Sequence, residues 1–82
     1  HPVYPNPFNP SATISFDIPQ VGGVELNVYD VKGALVEKLI SKTIKPGSHR
    51  YTWEPQLLPS GIYFMKLTTP NQTFTQKVTY IK

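Results

Sequence analysis

The residues of this chain that could perform nucleophilic chemistry are few. The two histidines are His1 and His49, and His49 lies between Ser48 and Arg50. A serine nucleophile needs an oriented base beside its hydroxyl. Because adjacent residues of a strand point to opposite faces, we do not expect Ser48 and His49 to form a catalytic dyad. The chain has no cysteine, which excludes a disulfide framework, a thiolate zinc site and a cysteine nucleophile.

The carboxylates are isolated from one another along the sequence. They are Asp17, Glu25, Asp30, Glu37 and Glu54. Glycoside hydrolysis needs two carboxylates across a cleft, whereas these lie at turns or on polar strand faces. A calcium site that uses Asp17 or Asp30 with loop carbonyls stays open, although no acidic loop has the ligand spacing of such a site. We therefore expect that the protein is not an enzyme and has no cofactor, and we assign no metal site to it.

Aromatic residues offer the one candidate ligand face. Tyr51 and Trp53, together with Tyr29 and Tyr63, could form a flat platform for a sugar ring. The competing interpretation is packing, since small β-sandwich domains bury one or two large aromatic side chains. We favour the core for Trp53 and keep saccharide binding as the alternative.

Charge and hydropathy exclude further classes of partner. Eight basic and five acidic residues give a net charge of +3. The basic residues are spread along the sequence with no cluster to follow a phosphate backbone, so we expect no nucleic-acid partner. No apolar run has the length of a membrane helix, and we expect no membrane insertion. The chain begins at a histidine, and we expect it to be part of a longer protein whose export signal lies upstream.

The elements that position these residues are predicted to be strands, because apolar and polar residues alternate and breakers recur about every 8–12 residues. We read Gly22-Gly23 as a hairpin turn, Asp30 to Gly33 as a turn and Pro46-Gly47 as a turn in which Gly47 takes a positive φ. Residues 35–44 also fit helical spacing, but their β-branched side chains favour a strand. The predicted strands are residues 12–18, 24–29, 35–44, the segment with His49, Tyr51 and Trp53 on one face, 62–68 and 73–81.

These strands predict a single all-β domain over residues 1–82. Six strands, or seven if Val3-Tyr4 also pairs, suit two packed antiparallel sheets of an immunoglobulin-like β-sandwich. In the last strand we expect Phe74, Gln76, Val78 and Tyr80 to share one face.

Residues 1–11 form a proline-rich entry segment before the first strand. Each proline fixes φ and removes a backbone donor, so the segment is extended and stiff. Asn6 and Asn9 can form Asx-turns, and Phe8 is the apolar side chain that could hold the segment against a core. We expect the motif to set the entry geometry of the domain; its residues are Pro5, Asn6, Pro7, Phe8, Asn9 and Pro10.

Several motifs in their mutual order resemble the C-terminal sorting domains of type IX secretion cargo. The opening Tyr4-Pro5-Asn6-Pro7-Phe8-Asn9-Pro10-Ser11 is followed by Val28-Tyr29-Asp30-Val31-Lys32-Gly33, by Trp53, and by Leu58-Pro59-Ser60-Gly61-Ile62-Tyr63-Phe64. The basic end Gln76-Lys77-Val78-Thr79-Tyr80-Ile81-Lys82 completes the likeness. The resemblance covers nearly the whole chain and extends to the immunoglobulin-like domain of flagellar hook-capping proteins.

This resemblance implies a non-catalytic signal on a secreted or cell-surface bacterial protein. In the family, an outer-membrane translocon recognises the folded domain and its final residues after export through the periplasm, and a sortase then removes the domain from its upstream passenger. The cut would lie upstream of Val3. Gly61, beside Tyr63 in the turn and strand motif, would permit a tight backbone approach. The implied recognition residues are Lys77, Val78, Thr79, Tyr80, Ile81 and Lys82.

Two other functions stay open on the residues alone. The final strand's lysines could simply guard a sheet edge against aggregation. The domain could also be a structural or carbohydrate-binding accessory module of an extracellular enzyme, or an assembly domain of the flagellar-hook type.

Overall fold

The chain forms antiparallel strands, and the computed structural model describes residues 11–81. Within that range there are six strands and no helix. The strands are β1 (Ala12–Ile18), β2 (Gly22–Tyr29), β3 (Leu35–Ile44), β4 (Gly47–Trp53), β5 (Gly61–Thr68) and β6 (Thr73–Tyr80). The predicted all-β, immunoglobulin-like antiparallel sandwich is confirmed; a seventh strand at Val3-Tyr4 would lie outside the described residues.

The strands divide unequally between two sheets. Sheet A contains β1 and β4, and sheet B has the order β3-β2-β5-β6. In sheet A, Ala12 is paired with Trp53 and Ile18 with Gly47. The strands β2 and β5 form the centre of sheet B, so each has a neighbour on both sides.

The core lies between the two sheets and follows from the alternation in the sequence. Every second residue of β1, β2 and β5 is buried, because side chains on a strand alternate between its two faces. The fully buried side chains are those of Trp53, Leu26, Met65, Val24, Val28 and Val78. No polar or charged residue is buried among the described residues. Burial of these apolar side chains holds the two sheets face to face.

Two irregularities explain why residues 35–44 fit helical spacing while forming a strand. The register of β2 with β3 shifts between Leu26 and Asn27 and again between Val28 and Tyr29. Each shift leaves one extra residue on β3, first Leu39 and then Val36, as in a β-bulge. Both extra residues are half-buried against the core. The bulges break the period of two, so the apolar positions of this strand resemble those of a helix.

The predicted turn from Asp30 to Gly33 is confirmed and is held by one carboxylate. Asp30 Oδ1 accepts hydrogen bonds from the backbone N–H groups of Lys32 at 2.9 Å and Ala34 at 3.0 Å. Gly33 has a φ of 84°, a conformation that glycine adopts without a steric penalty. This turn joins β2 to β3 and fixes their direction.

The prediction of a hairpin turn at Gly22-Gly23 is wrong. Both glycines belong to β2, and the strand before them lies in the other sheet. A Cβ on Gly22 would clash with the ring of Pro70, in the turn between β5 and β6. The glycine therefore allows a close approach between two chain segments rather than a reversal.

The chain crosses from sheet B to sheet A at Pro46-Gly47. Gly47 has a φ of 129°, which confirms the predicted positive φ. Because β3 and β4 belong to different sheets, this short connection changes sheets instead of closing a hairpin. Glycine is the residue type suited to this backbone conformation.

Replacement of Gly47 by alanine should test the sheet crossing. We expect Gly47→Ala to lower the free energy of unfolding by about 1–3 kcal/mol, because a Cβ is strained at this φ. The matched control is Gly23→Ala, where φ is not positive and no described atom lies within 4 Å of the added Cβ. Chemical denaturation of both variants is the measurement. Equal stability of the two variants would contradict the assigned role of Gly47.

Candidate functional site

The predicted recognition strand is the last strand of sheet B. Among the described strands β6 pairs only with β5, in a register that joins Lys77 to Phe64 and Thr79 to Ile62. Val78 and Tyr80 are buried, whereas Lys77 is exposed and Thr79 half-buried. The predicted division of faces is therefore confirmed. Phe74 shares the inner side with Val78 but is 56% exposed, and it lines a pocket together with Phe16 and Leu67.

Outward residues of β6 continue an apolar surface on neighbouring strands. Lys77 is paired with Phe64, and Phe64 is paired with Tyr29 of β2. Ile62 is 41% exposed beside Thr79, and Ile81 beyond the strand is 49% exposed. We call this surface the outer patch, defined by Tyr29, Ile62, Phe64, Lys77, Thr79 and Ile81. It combines aromatic and aliphatic area with one cation at its margin, a composition suited to binding protein surfaces.

Trp53 lies inside the sandwich and does not form a ligand face. Its side chain is 1% exposed, and its ring meets that of Tyr63 edge-on with centroids 6.1 Å apart. Its Nε1–H donates a hydrogen bond to Glu37 Oε1 at 3.1 Å. Tyr51 is half-buried on the same inner side of β4. Because the inner side packs against sheet B, the packing interpretation of Trp53 is confirmed and its ring is closed to a sugar, whereas Tyr51 stays partly accessible.

Two tyrosine hydroxyls form hydrogen bonds with the connection between β4 of sheet A and β5 of sheet B. The hydroxyl of Tyr63 donates to the Pro59 carbonyl at 2.7 Å, and that of Tyr80 donates to the Pro55 carbonyl at 3.4 Å. Both side chains are buried apart from these contacts. Burial, followed by the nearby Asp30 and Tyr80, raises the pKa of the Tyr63 hydroxyl above its ordinary value of 10.0. The two prolines thus accept hydrogen bonds that hold the connection at the end of the core.

The prediction that Gly61 permits a tight backbone approach finds no support in the described part of the chain. No described atom lies within 4 Å of the place where its Cβ would stand, and its φ is not positive. Gly61 begins β5 opposite Tyr80. The close approach that glycine permits is at Gly22, which the sequence did not single out for this role.

The candidate catalytic residues have structural partners. Ser48 Oγ donates to Asp17 Oδ1 at 2.8 Å on the outer face of sheet A. His49 Nε2–H donates to the Lys45 carbonyl at 2.7 Å, and its ring stacks on Phe16 with centroids 5.7 Å apart. Ser48 and His49 therefore point to opposite faces, as adjacent residues of a strand do. Within residues 11–81 no group of three acidic or histidine side chains could hold a metal ion.

Other predicted residues fall outside the described range. They are the entry motif from Pro5 to Pro10 and the terminal Lys82. Along the described chain, no helix is long and apolar enough to cross a membrane.

The described residues thus define a small all-β sandwich domain in which Ser48 and His49 make structural contacts. Residues 2–82 match the family described as the secretion system C-terminal sorting domain, and the chain belongs to that family, the sorting domains of type IX secretion. No curated protein and no solved structure matches the chain. Such a domain directs its protein to the cell surface or the medium through the type IX machinery, and sorting domains are typically non-catalytic.

Truncation of Trp53 should show its structural role. We expect Trp53→Ala to cost about 3–5 kcal/mol of unfolding free energy, because it empties the space between the sheets. The matched variant is Tyr51→Ala, an aromatic truncation two residues away at a half-buried position, which should cost less. Thermal unfolding measures both. An unchanged melting temperature in Trp53→Ala would contradict the core assignment.

The stability of the domain should fall in alkaline solution. The raised pKa of Tyr63 means that the unfolded chain releases this proton first. The contribution of Tyr63 to the free energy of unfolding is therefore complete below pH 10.0, the ordinary pKa of tyrosine. It is lost as the pH rises through the higher pKa that Tyr63 has in the folded domain. Denaturant titrations across this window measure the loss, and Tyr63→Phe should reduce the slope. The same slope in both proteins would assign the effect to other groups.

Proposed function

We propose that this domain is a folded, non-catalytic C-terminal sorting signal that the outer-membrane translocon recognises after passage through the periplasm. The single observation that carries the proposal is the family match over residues 2–82. The stable sandwich supports it, because a folded domain presents side chains of distant strands as one surface. Recognition then depends on shape and surface chemistry rather than on a catalytic group.

The final strand is proposed to supply the contact. The residues are Lys77, Val78, Thr79, Tyr80, Ile81 and Lys82. Lys77, Thr79 and Ile81 contribute to the outer patch, whereas Val78 and Tyr80 hold the strand to the core. The two buried side chains thus hold the strand so that Lys77, Thr79 and Ile81 point outward.

The composition of the outer patch suggests the chemistry of the translocon surface that it would meet. Ile62 and Phe64 provide apolar area at the centre, and Lys77 lies beside them. Burial of apolar area would supply most of the binding free energy. A carboxylate on the partner opposite Lys77 would add orientation and specificity.

Removal of the domain by a sortase, and attachment to an upstream passenger, are further parts of the proposal. Both derive from the family. The cut would lie upstream of Val3, and the entry motif from Pro5 to Pro10 would set the angle between passenger and sandwich. The translocon and the sortase are thus the proposed protein partners.

Export of a reporter fused to the N-terminus of this domain, in a type IX-competent host, tests the proposal. We expect Lys77→Glu combined with Ile62→Glu to lower export severalfold, because both changes place carboxylates in the outer patch. Secreted and retained reporter are quantified, and the intact mass of the secreted reporter shows whether the domain has been removed. Undiminished export would contradict recognition through this surface.

The control must separate recognition from folding. Deletion of residues 79–82 is unsuitable, because it removes Tyr80, which is 5% exposed and bonded to Pro55. The matched control is Lys32→Glu combined with Val31→Glu, which makes the same charge change at two exposed positions of the turn between β2 and β3. Purified variants that retain their melting temperature are compared, and the control should be exported normally.

A further inference from the structure

A groove separates β3 from β4 on the side of the sandwich away from β6. The two strands diverge from the Pro46-Gly47 crossing into different sheets, and the space between them has a volume of about 470 Å³. This lies within the range of roughly 300–1,000 Å³ that is usual for ligand pockets. We call it the β3–β4 groove, lined by Phe16, residues 39–45, His49, Arg50 and Tyr51.

One wall of the groove is the edge of a strand. Consecutive residues from 39 to 45 line it, whereas a strand that presented one face would contribute only every second residue. Among the described strands β3 pairs only with β2, so within residues 11–81 it is the edge of sheet B on this side. Backbone N–H and C=O groups on the side away from β2 therefore face the groove. Such an edge can accept an added strand.

The groove is cationic, although its charges are separated in sequence. Lys42, Lys45 and Arg50 line it and are all exposed. No Asp or Glu is among the described residues that line it, and within residues 11–81 none of the three cations forms an ion pair. Lys38, by contrast, lies 3.9 Å from Glu25. The groove thus carries positive charge, and Asp17, which lines a neighbouring pocket with Arg50, accepts a hydrogen bond from Ser48.

The floor is apolar and ordered. The ring of His49 stacks on Phe16 and bonds to the Lys45 carbonyl, which ties β4 to the end of the β3 wall. Tyr51 and Ile40 add apolar area. Alternate side chains of an added strand would meet this floor, and the exposed cations Lys42, Lys45 and Arg50 lie around it.

We propose that the β3–β4 groove binds an extended acidic peptide segment of a partner protein as an added strand on β3. The strand edge supplies backbone hydrogen bonds, as in other complexes formed by β-augmentation. Lys42, Lys45 and Arg50 select carboxylates, and they disfavour a second copy of this domain, whose own edge carries the same charges. This site lies at the opposite end of sheet B from β6 and does not depend on the proposed function.

Binding of a fluorescent peptide with alternating valine and glutamate to the whole chain tests the proposal by fluorescence polarisation. We expect saturable binding that weakens with salt. The variant Lys42→Glu/Arg50→Glu should bind at least about tenfold more weakly. The matched control Lys32→Glu/Lys66→Glu makes the same charge change outside the groove and should bind as the unmodified domain does. No binding would show that the lysines only guard the edge, and would overturn the proposal.

Backbone pairing is tested separately from charge. Two versions of the peptide carry N-methyl groups on alternate residues, one version for each phase of the alternation. Only the phase whose N–H groups face β3 should lose affinity, and amide hydrogen exchange at residues 39–44 should slow with the unmodified peptide. Equal binding of both versions, with full competition by a sulfated polysaccharide and no amide protection, would reveal a general polyanion site and overturn strand addition.

Discussion

The structure depends on one constraint, which is that its two sheets are joined through side chains. Among the described strands, those of sheet A pair only with each other, and two strands alone are marginally stable in water. Trp53 spans the gap, since it belongs to β4, packs on Tyr63 of β5 and donates a hydrogen bond to Glu37 of β3. One aromatic side chain therefore links sheet A to two strands of sheet B. The core around it makes the small sheet stable enough to persist.

The unequal sheets leave two different surfaces at the two ends of sheet B. At one end β6 contributes the outer patch with a single lysine, and at the other β3 borders a groove with three cations. Because a strand edge is a general template for pairing, proteins place charges there to restrict which partners approach. The two ends differ in charge and in the kind of area they expose. They are therefore suited to different partners.

The sequence predicted strands and faces well, because alternation is a local property. Val78 and Tyr80 on the inner side of β6 followed directly from the period of two. The order of strands within the sheets did not follow, since alternation defines a face and not a neighbour. Gly22-Gly23 resembles a turn in sequence, and only the position of Pro70 shows that Gly22 permits a close approach. The family came from the motifs, whose residues and mutual order specify it without reference to a catalytic group.

The candidate groove could not be predicted for a related reason. Lys42, Lys45 and Arg50 do not form a run in the sequence, and β3 and β4 belong to different sheets. Their proximity results from the crossing at Gly47 and from the bond between His49 and Lys45. The hydrogen bond from Tyr63 to the Pro59 carbonyl could not be predicted either, since Pro59 lies in a loop whose path the sequence does not define.

The pairings of β1 with β4 and of β2 with β5 are interleaved along the chain. Because β2 lies between β1 and β4 in sequence and β4 lies between β2 and β5, the loop closed by each pairing contains a strand of the other sheet. Pairings between strands far apart in sequence lose loop entropy before they gain contacts. We therefore expect the domain to fold only after its strands have been synthesised, and as one cooperative unit. A chain that ends before β5 lacks Ile62, Phe64 and Lys77 and cannot form the outer patch. A receptor that binds the outer patch therefore binds only chains whose synthesis has passed β6.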